Sequence, residues 1–163
     1  MTYDFLDGAG EVPAHQHSNG GGWVADSTRV DESAFVGPDA KVYGNAKVYD
    51  NARVFGHAVV YGAAQVYGNA EVYDNAEVYG NAQVFGNAVV YGNAWIYGNA
   101  VVCGTAQVFG NAVVYGNAMV CDDAWIFGNA VVYDNAVVGG NAWIFGHAEV
   151  YGPPPGSMNS IGE

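Results

Sequence analysis

The sequence predicts an all-β fold: a three-sided parallel β-helix (β-solenoid) with 18 residues per coil and about seven coils. Three observations predict it. An Ala recurs at every sixth position from Ala40 to Ala148 without a gap, giving nineteen consecutive hexads. Val or Ile lies two positions after the start of every hexad from Val24 to Val150. The residue after that Val is usually aromatic, and these residues sort by type when every third hexad is compared. A fixed period of this kind marks a repeat architecture.

Each hexad, as in AKVYGN from Ala40, reads as a short strand and a corner. Alternation places Ala and Val on one face and the variable and aromatic positions on the other. Ala is a poor strand former, so its recurrence points to a narrow interior that admits nothing larger. The closing Gly-Asn or Asp-Asn pairs tolerate the positive φ that a sharp corner needs. Looser hexads begin at Gly22, Thr28 and Ala34, for twenty-two in all.

The step of eighteen sets the number of sides. One series runs Tyr43, Tyr61, Tyr79, Tyr97, Tyr115, Tyr133, Tyr151. The next runs Tyr49, Tyr67, Phe85, Cys103, Cys121, Gly139, and the third Phe55, Tyr73, Tyr91, Phe109, Phe127, Phe145. Three hexads therefore make one turn, and the stack is about 34 Å tall from the spacing of paired strands. Stacked Tyr and Asn ladders, such as Asn51, Asn69, Asn87 and Asn81, Asn99, Asn117, Asn135, are expected to tie the layers together.

This divides the chain into a capping segment at 1–21, the β-helix at 22–152 and a Pro-rich tail at 153–163. Pro153, Pro154 and Pro155 cannot donate to a further layer, so they read as a stop. Capped ends favour a discrete particle over a fibre.

Composition narrows the function classes. Sixteen acidic residues against four basic ones give a net charge of −12. Binding to nucleic acid or to an anionic membrane needs a Lys/Arg surface, so neither is an expected partner. A hydrophobic share of 51% argues against a disordered acidic tail. The opening MTYDFLDGAG lacks a basic stretch followed by an apolar run, so no secretory signal is visible and a cytoplasmic protein is expected. Two cysteines are too few for a disulfide framework.

The V-Y-G-N-A-x pattern resembles the hexapeptide repeat of left-handed parallel β-helix proteins, most closely at AFVGPDAKV from Ala34 to Val42. The resemblance covers about four-fifths of the chain. It implies a left-handed coil, where general crossover chirality would favour the right hand. Tyr or Phe stands where that family usually has Gly, Ala or an acid. With GGGWV at Gly20–Val24, this is similar to an uncharacterised subgroup found in bacteria and their phages and often labelled transferase. A repeat match transfers fold and not chemistry.

The resemblance implies two chemistries to test. Its acyltransferases are trimers with a His as general base between subunits, and usually carry a loop or helical domain outside the coil. This chain has neither addition, and its fallback candidates are His57 and His147. They occupy Asn corner positions in one column, five coils and about 24 Å apart. The zinc carbonic anhydrase of the fold needs three His at a subunit boundary. Only His15 and His17 are paired here, as a weak metal candidate. No cofactor is expected. Cys103 and Cys121 stack one layer apart and are expected as two free thiols, because parallel register holds the Cβ atoms slightly too far apart for an unstrained bond.

The second hexad position points outward, and its character changes. From Lys41 to Gln83 it is one-eighth apolar, and from Val89 to Trp143 nine-tenths. The inward positions are already filled, so Trp95, Trp125 and Trp143, with Tyr97, Phe127 and Phe145, are expected outside as a ligand or partner surface. The flattest column, Val101, Cys103, Met119, Cys121, Val137 and Gly139, is the candidate interface on a symmetry axis. The expected function is a non-enzymatic scaffold or binding module. It would form a homotrimer, with another protein as a second partner for the apolar half, in a cytoplasmic or phage setting. An acyltransferase, and an antagonist that sequesters a small ligand or a partner protein, are the alternatives.

Overall fold

In the computed structural model, which describes residues 1–153, the chain winds into a parallel β-solenoid whose strands form three sheets of ten, seven and seven strands. Each hexad from Ala40 onward supplies a strand two to four residues long, and each strand inside a sheet pairs in parallel with those eighteen residues before and after it. The pairing Val59–Glu77–Trp95 in the first sheet is one example. The strand at Val137–Val138 ends the second sheet, and the strand at Trp143–Ile144 ends the third.

The interior is the Ala and Val of the repeat. Ala and Val or Ile from Ala34 to Val138 form one continuous core, essentially without solvent exposure. Burial of one such Val contributes about 1.5–3 kcal/mol, and Ala beside it keeps the bore narrow. The largest fully buried side chains are Ile96 and Ile126, each directly after an outward Trp. Among the described residues no buried side-chain polar atom lacks a hydrogen-bond partner.

The corners are hydrogen-bonded too. The Lys41, Tyr43 and Asn45 N–H groups donate to the Ala58, Val60 and Gly62 carbonyls of the next coil, so the ladder does not break at the bend. From Gly44 to Gly146 the fifth hexad position has positive φ, as at Gly110 (70°). Asp takes this position at Asp50, Asp74, Asp122 and Asp134, with φ between 55° and 60°. It adds an acceptor: the Gly92 N–H donates to Asp74 Oδ2 at 3.2 Å, and the Gly140 N–H to Asp122 Oδ2 at 2.9 Å.

The aromatic columns are stacks. Ring centroids from Tyr43 through Tyr115 follow one another at 4.8–5.0 Å, within 7° of parallel. Tyr hydroxyls donate to the outward side chain sixteen residues on: Tyr49 to Gln65, Tyr61 to Glu77, Tyr67 to Gln83. Burial pushes the Tyr61 phenol pKa up, and the Glu77 carboxylate adds to the shift. Burial likewise raises Tyr67, Tyr73, Tyr79, Tyr91 and Tyr97.

At the amino-terminal end the repeat gives way to a hairpin. Strands β1 (Thr2–Asp4) and β2 (Glu11–Gln16) pair antiparallel, and β2 pairs antiparallel with β3 (Trp23–Ala25), the first strand of the coil. Phe5 stacks on Tyr43 at 4.8 Å and extends the first Tyr column by one ring. The Gly22 N–H donates to the Val36 carbonyl, and the Val36 N–H to that of Asn19, which closes the first coil. At the other end the Pro153 carbonyl accepts from Asn135 Nδ2 at 2.8 Å. Pro154 and Pro155, the rest of the expected stop, lie outside the described residues.

Candidate functional site

The candidate interface residues lie together on the second sheet. Val101, Met119 and Val137 are cross-strand neighbours, and Cys103, Cys121 and Gly139 follow them two residues later on the same rungs. Met119 and Val137 are each 42% exposed, more than outward Val elsewhere in the coil. The expectation of two free thiols is corrected: Cys103 and Cys121 form a disulfide. Their Cα atoms are 4.5 Å apart, inside the range that a disulfide spans. That is closer than the general rung spacing assumed from sequence, and it lets the two thiols turn toward each other along the axis.

The aromatic surface separates into two. Trp125 and Trp143 stack on each other at 5.2 Å on the third sheet, with Phe127 and Phe145 stacked beside them at 5.4 Å. Trp95 and Tyr97 belong to the first sheet, where Trp95 pairs across to Val113. The spacing contained this signal: Trp125 and Trp143 differ by one coil of eighteen, whereas Trp95 and Trp125 differ by thirty, which is no whole number of coils.

The histidines serve four separate surroundings. His57 and His147 are exposed and flank the third Asn ladder, one coil before Asn75 and one coil after Asn129. His15 Nδ1 lies 2.7 Å from Asp26 Oδ1, on the surface of the hairpin. His17 is buried, and its Nε2–H donates to the Ala34 carbonyl at 2.9 Å. That bond fixes its tautomer and ties the hairpin to the coil. The two paired imidazoles thus have different partners. Among the described residues no three His, Cys, Asp or Glu side chains converge as a metal set.

Among the described residues, two of the surface clefts lie on the edge where the chain passes from the third sheet to the first. The lower, about 320 Å³, lies between Tyr3 and Trp23 of the hairpin region and Asp39, Lys41 and His57 of the coil. The Lys41 ammonium sits 5.7 Å from the Tyr3 ring centroid. The upper, about 310 Å³, is lined by Asn93, Trp95, Asn111 and Val113. Its Asn wall belongs to a third ladder beyond the two expected from sequence, Asn75–Asn93–Asn111–Asn129, whose amides bond in series at 3.2 Å. The same period of eighteen would have found it.

Parallel pairing from coil to coil, three sheets and a coil of eighteen residues define the chain as a β-solenoid repeat protein. More narrowly, a family model for the YdcK beta solenoid repeat matches residues 46–62, 64–80, 82–98, 106–122 and 124–140. These segments make up just over half of the chain, and the protein belongs to that family. The segment skipped between the third and fourth matches, 99–105, contains the hexad in which Cys103 and Thr105 replace the aromatic and the Asn. Comparison with curated proteins finds no match.

Proposed function

We propose that this protein is a rigid, non-enzymatic solenoid scaffold that assembles with copies of itself as a discrete homotrimer. One observation carries this reading: the apolar, small-residue half of the second sheet, where Met119 and Val137 stand exposed beside the Cys103–Cys121 bridge. The upper coils of the other two sheets present stacked rings, which hold a neighbour at a distance. The second sheet there has no ring taller than a Met side chain, so two copies can approach closely. An apolar area of this kind is what a symmetric interface buries.

Left-handed coiling and kinship with the hexapeptide-repeat proteins belong to the same reading, carried by the six-residue period. An acyltransferase role draws less support. His57 lies on the edge between the third and first sheets, opposite the second. A trimer packed through the second sheet would hold it far from any subunit boundary. The disulfide favours an oxidising setting, such as an assembled extracellular or phage particle, over a reducing cytoplasm.

The test is the native mass of the intact chain, alone and with Met119→Lys and Val137→Lys together. Three chains for the parent and one for the variant, with unchanged circular dichroism, is the expected result. A parent that remains a single chain at micromolar concentration would overturn the reading.

A further inference from the structure

The two clefts described above lie along one edge of the coil. Cross-strand pairing in the first sheet runs Trp23, Lys41, Val59, Glu77, Trp95, Val113, so Trp23 and Trp95 stand four rungs apart. At the usual rung spacing this is about 19 Å. Asn93 and Asn111, the middle of the ladder from Asn75 to Asn129, form the other wall of the upper cleft, with one amide per rung.

We propose that the upper cleft binds an uncharged, extended glycan chain lying along the solenoid axis. The Trp95 indole would lie under one sugar ring, and the Asn93 and Asn111 amides would hydrogen-bond its hydroxyls. The indole is free to take a ring. Trp95 is 46% exposed, and among the described residues it is the one Trp that stacks on no other ring. Trp23 lies against Tyr3, and Trp125 against Trp143.

The amides retain capacity for a ligand. Within the ladder Asn93 and Asn111 each give one N–H and receive one. An Asn side chain has two donors and two acceptor sites, so each keeps one of each. A flat apolar face beside alternating donors and acceptors matches a pyranose, which has C–H groups on one face and hydroxyls round its rim. The amides repeat once per rung, a distance comparable to one sugar of an extended chain.

The surroundings exclude the other occupants. The backbone of the cleft is already committed: the Asn93, Trp95 and Asn111 N–H groups donate to the Gly110, Ala112 and Gly128 carbonyls. A peptide strand would find no main-chain partner there. None of the four lining residues is charged. One rung below Trp95 is the Glu77 carboxylate, and all four basic residues lie between Arg29 and Arg53, so an acidic polymer would meet repulsion.

The test is calorimetric titration of the full chain with short β-linked oligosaccharides of glucose and of N-acetylglucosamine, with oligogalacturonate as the acidic counterpart. At least one neutral chain should bind, and the acidic chain should not. Trp95→Ala should weaken binding by about tenfold or more, since aromatic contact and burial are both lost. Trp95→Tyr should keep most of the affinity, and Trp143→Ala, on the other sheet, all of it. Circular dichroism confirms that each variant is folded; the Trp95 side chain lies outside the core. Absence of binding by both neutral sugars at millimolar concentration would overturn the proposal. So would a preference for the acidic chain, or affinity that survives Trp95→Ala.

Discussion

Replacing Gly110 tests how the corners hold the coils together. Gly110 has φ 70°, and a Cβ built on it would lie 3.0 Å from the Gly128 nitrogen and 3.1 Å from the Gly128 oxygen. Gly146 lies in the same corner column with φ 68°, and a Cβ there meets nothing within 4 Å. Both positions make an L side chain adopt the left-handed region, which costs about 1–2 kcal/mol. Only Gly110→Ala adds crowding against the next coil, about 1 kcal/mol at the low end of overpacking penalties. The expected costs are therefore about 2–3 kcal/mol for Gly110→Ala and about 1–2 kcal/mol for Gly146→Ala. Gly110→Asp should fall below Gly110→Ala. Asp74 in this column adopts φ 58° and accepts the Gly92 N–H, and an Asp at 110 could accept that of Gly128 in the same way. One such bond returns about 1 kcal/mol. Urea unfolding followed by Trp fluorescence measures all three, provided the slope is unchanged. The reasoning fails if Gly146→Ala costs as much as Gly110→Ala, or if Asp at 110 is no better than Ala.

Two further outcomes are expected. Reducing the Cys103–Cys121 bridge opens a loop of 18 residues; the chain-entropy relation makes that worth about 3 kcal/mol. The thermal midpoint should therefore fall with reductant, and fail to fall in Cys103→Ser/Cys121→Ser. Alkaline pH should destabilise the fold. Burial raises the folded-state pKa of Tyr61 and its stacked neighbours above the ordinary value of 10.0, so the folded chain holds protons that the unfolded chain releases. The contribution is complete below pH 10.0 and is lost as pH rises above it, through the raised folded values. Melting midpoints measured across this range, alongside phenolate absorbance, check the sign; a midpoint that rises above pH 10.0 would contradict it.

The repeat by itself determined the coil. A side-chain period of two, an Ala-Val interior and a corner every six residues leave one way to bury the apolar face. The period of eighteen then decides which residues stack, because rung pairing is in register and no residue is inserted. Gly or Asp at the fifth hexad position follows from the positive φ of the corner. The Tyr-to-Gln and Tyr-to-Glu bonds sixteen residues apart were equally available in the spacing. So was the placement of Trp95 on a different sheet from Trp125 and Trp143.

Tertiary structure alone decided what depends on direction and on contacts outside the period. The sequence puts Cys103 and Cys121 on adjacent rungs, but only the local rung distance and the way each thiol turns close the bridge. Residues 1–21 carry no hexad, so nothing in their order shows that Phe5 will continue the Tyr43 column or that His17 will be buried against Ala34. Those contacts arise from the antiparallel pairing of β1 with β2 and of β2 with β3, which folds the segment back against the first coil. The two clefts share one edge for a similar reason: a corner joins two sheets, and the depth between an Asn ladder and a neighbouring outward side chain exists only once the coil has closed.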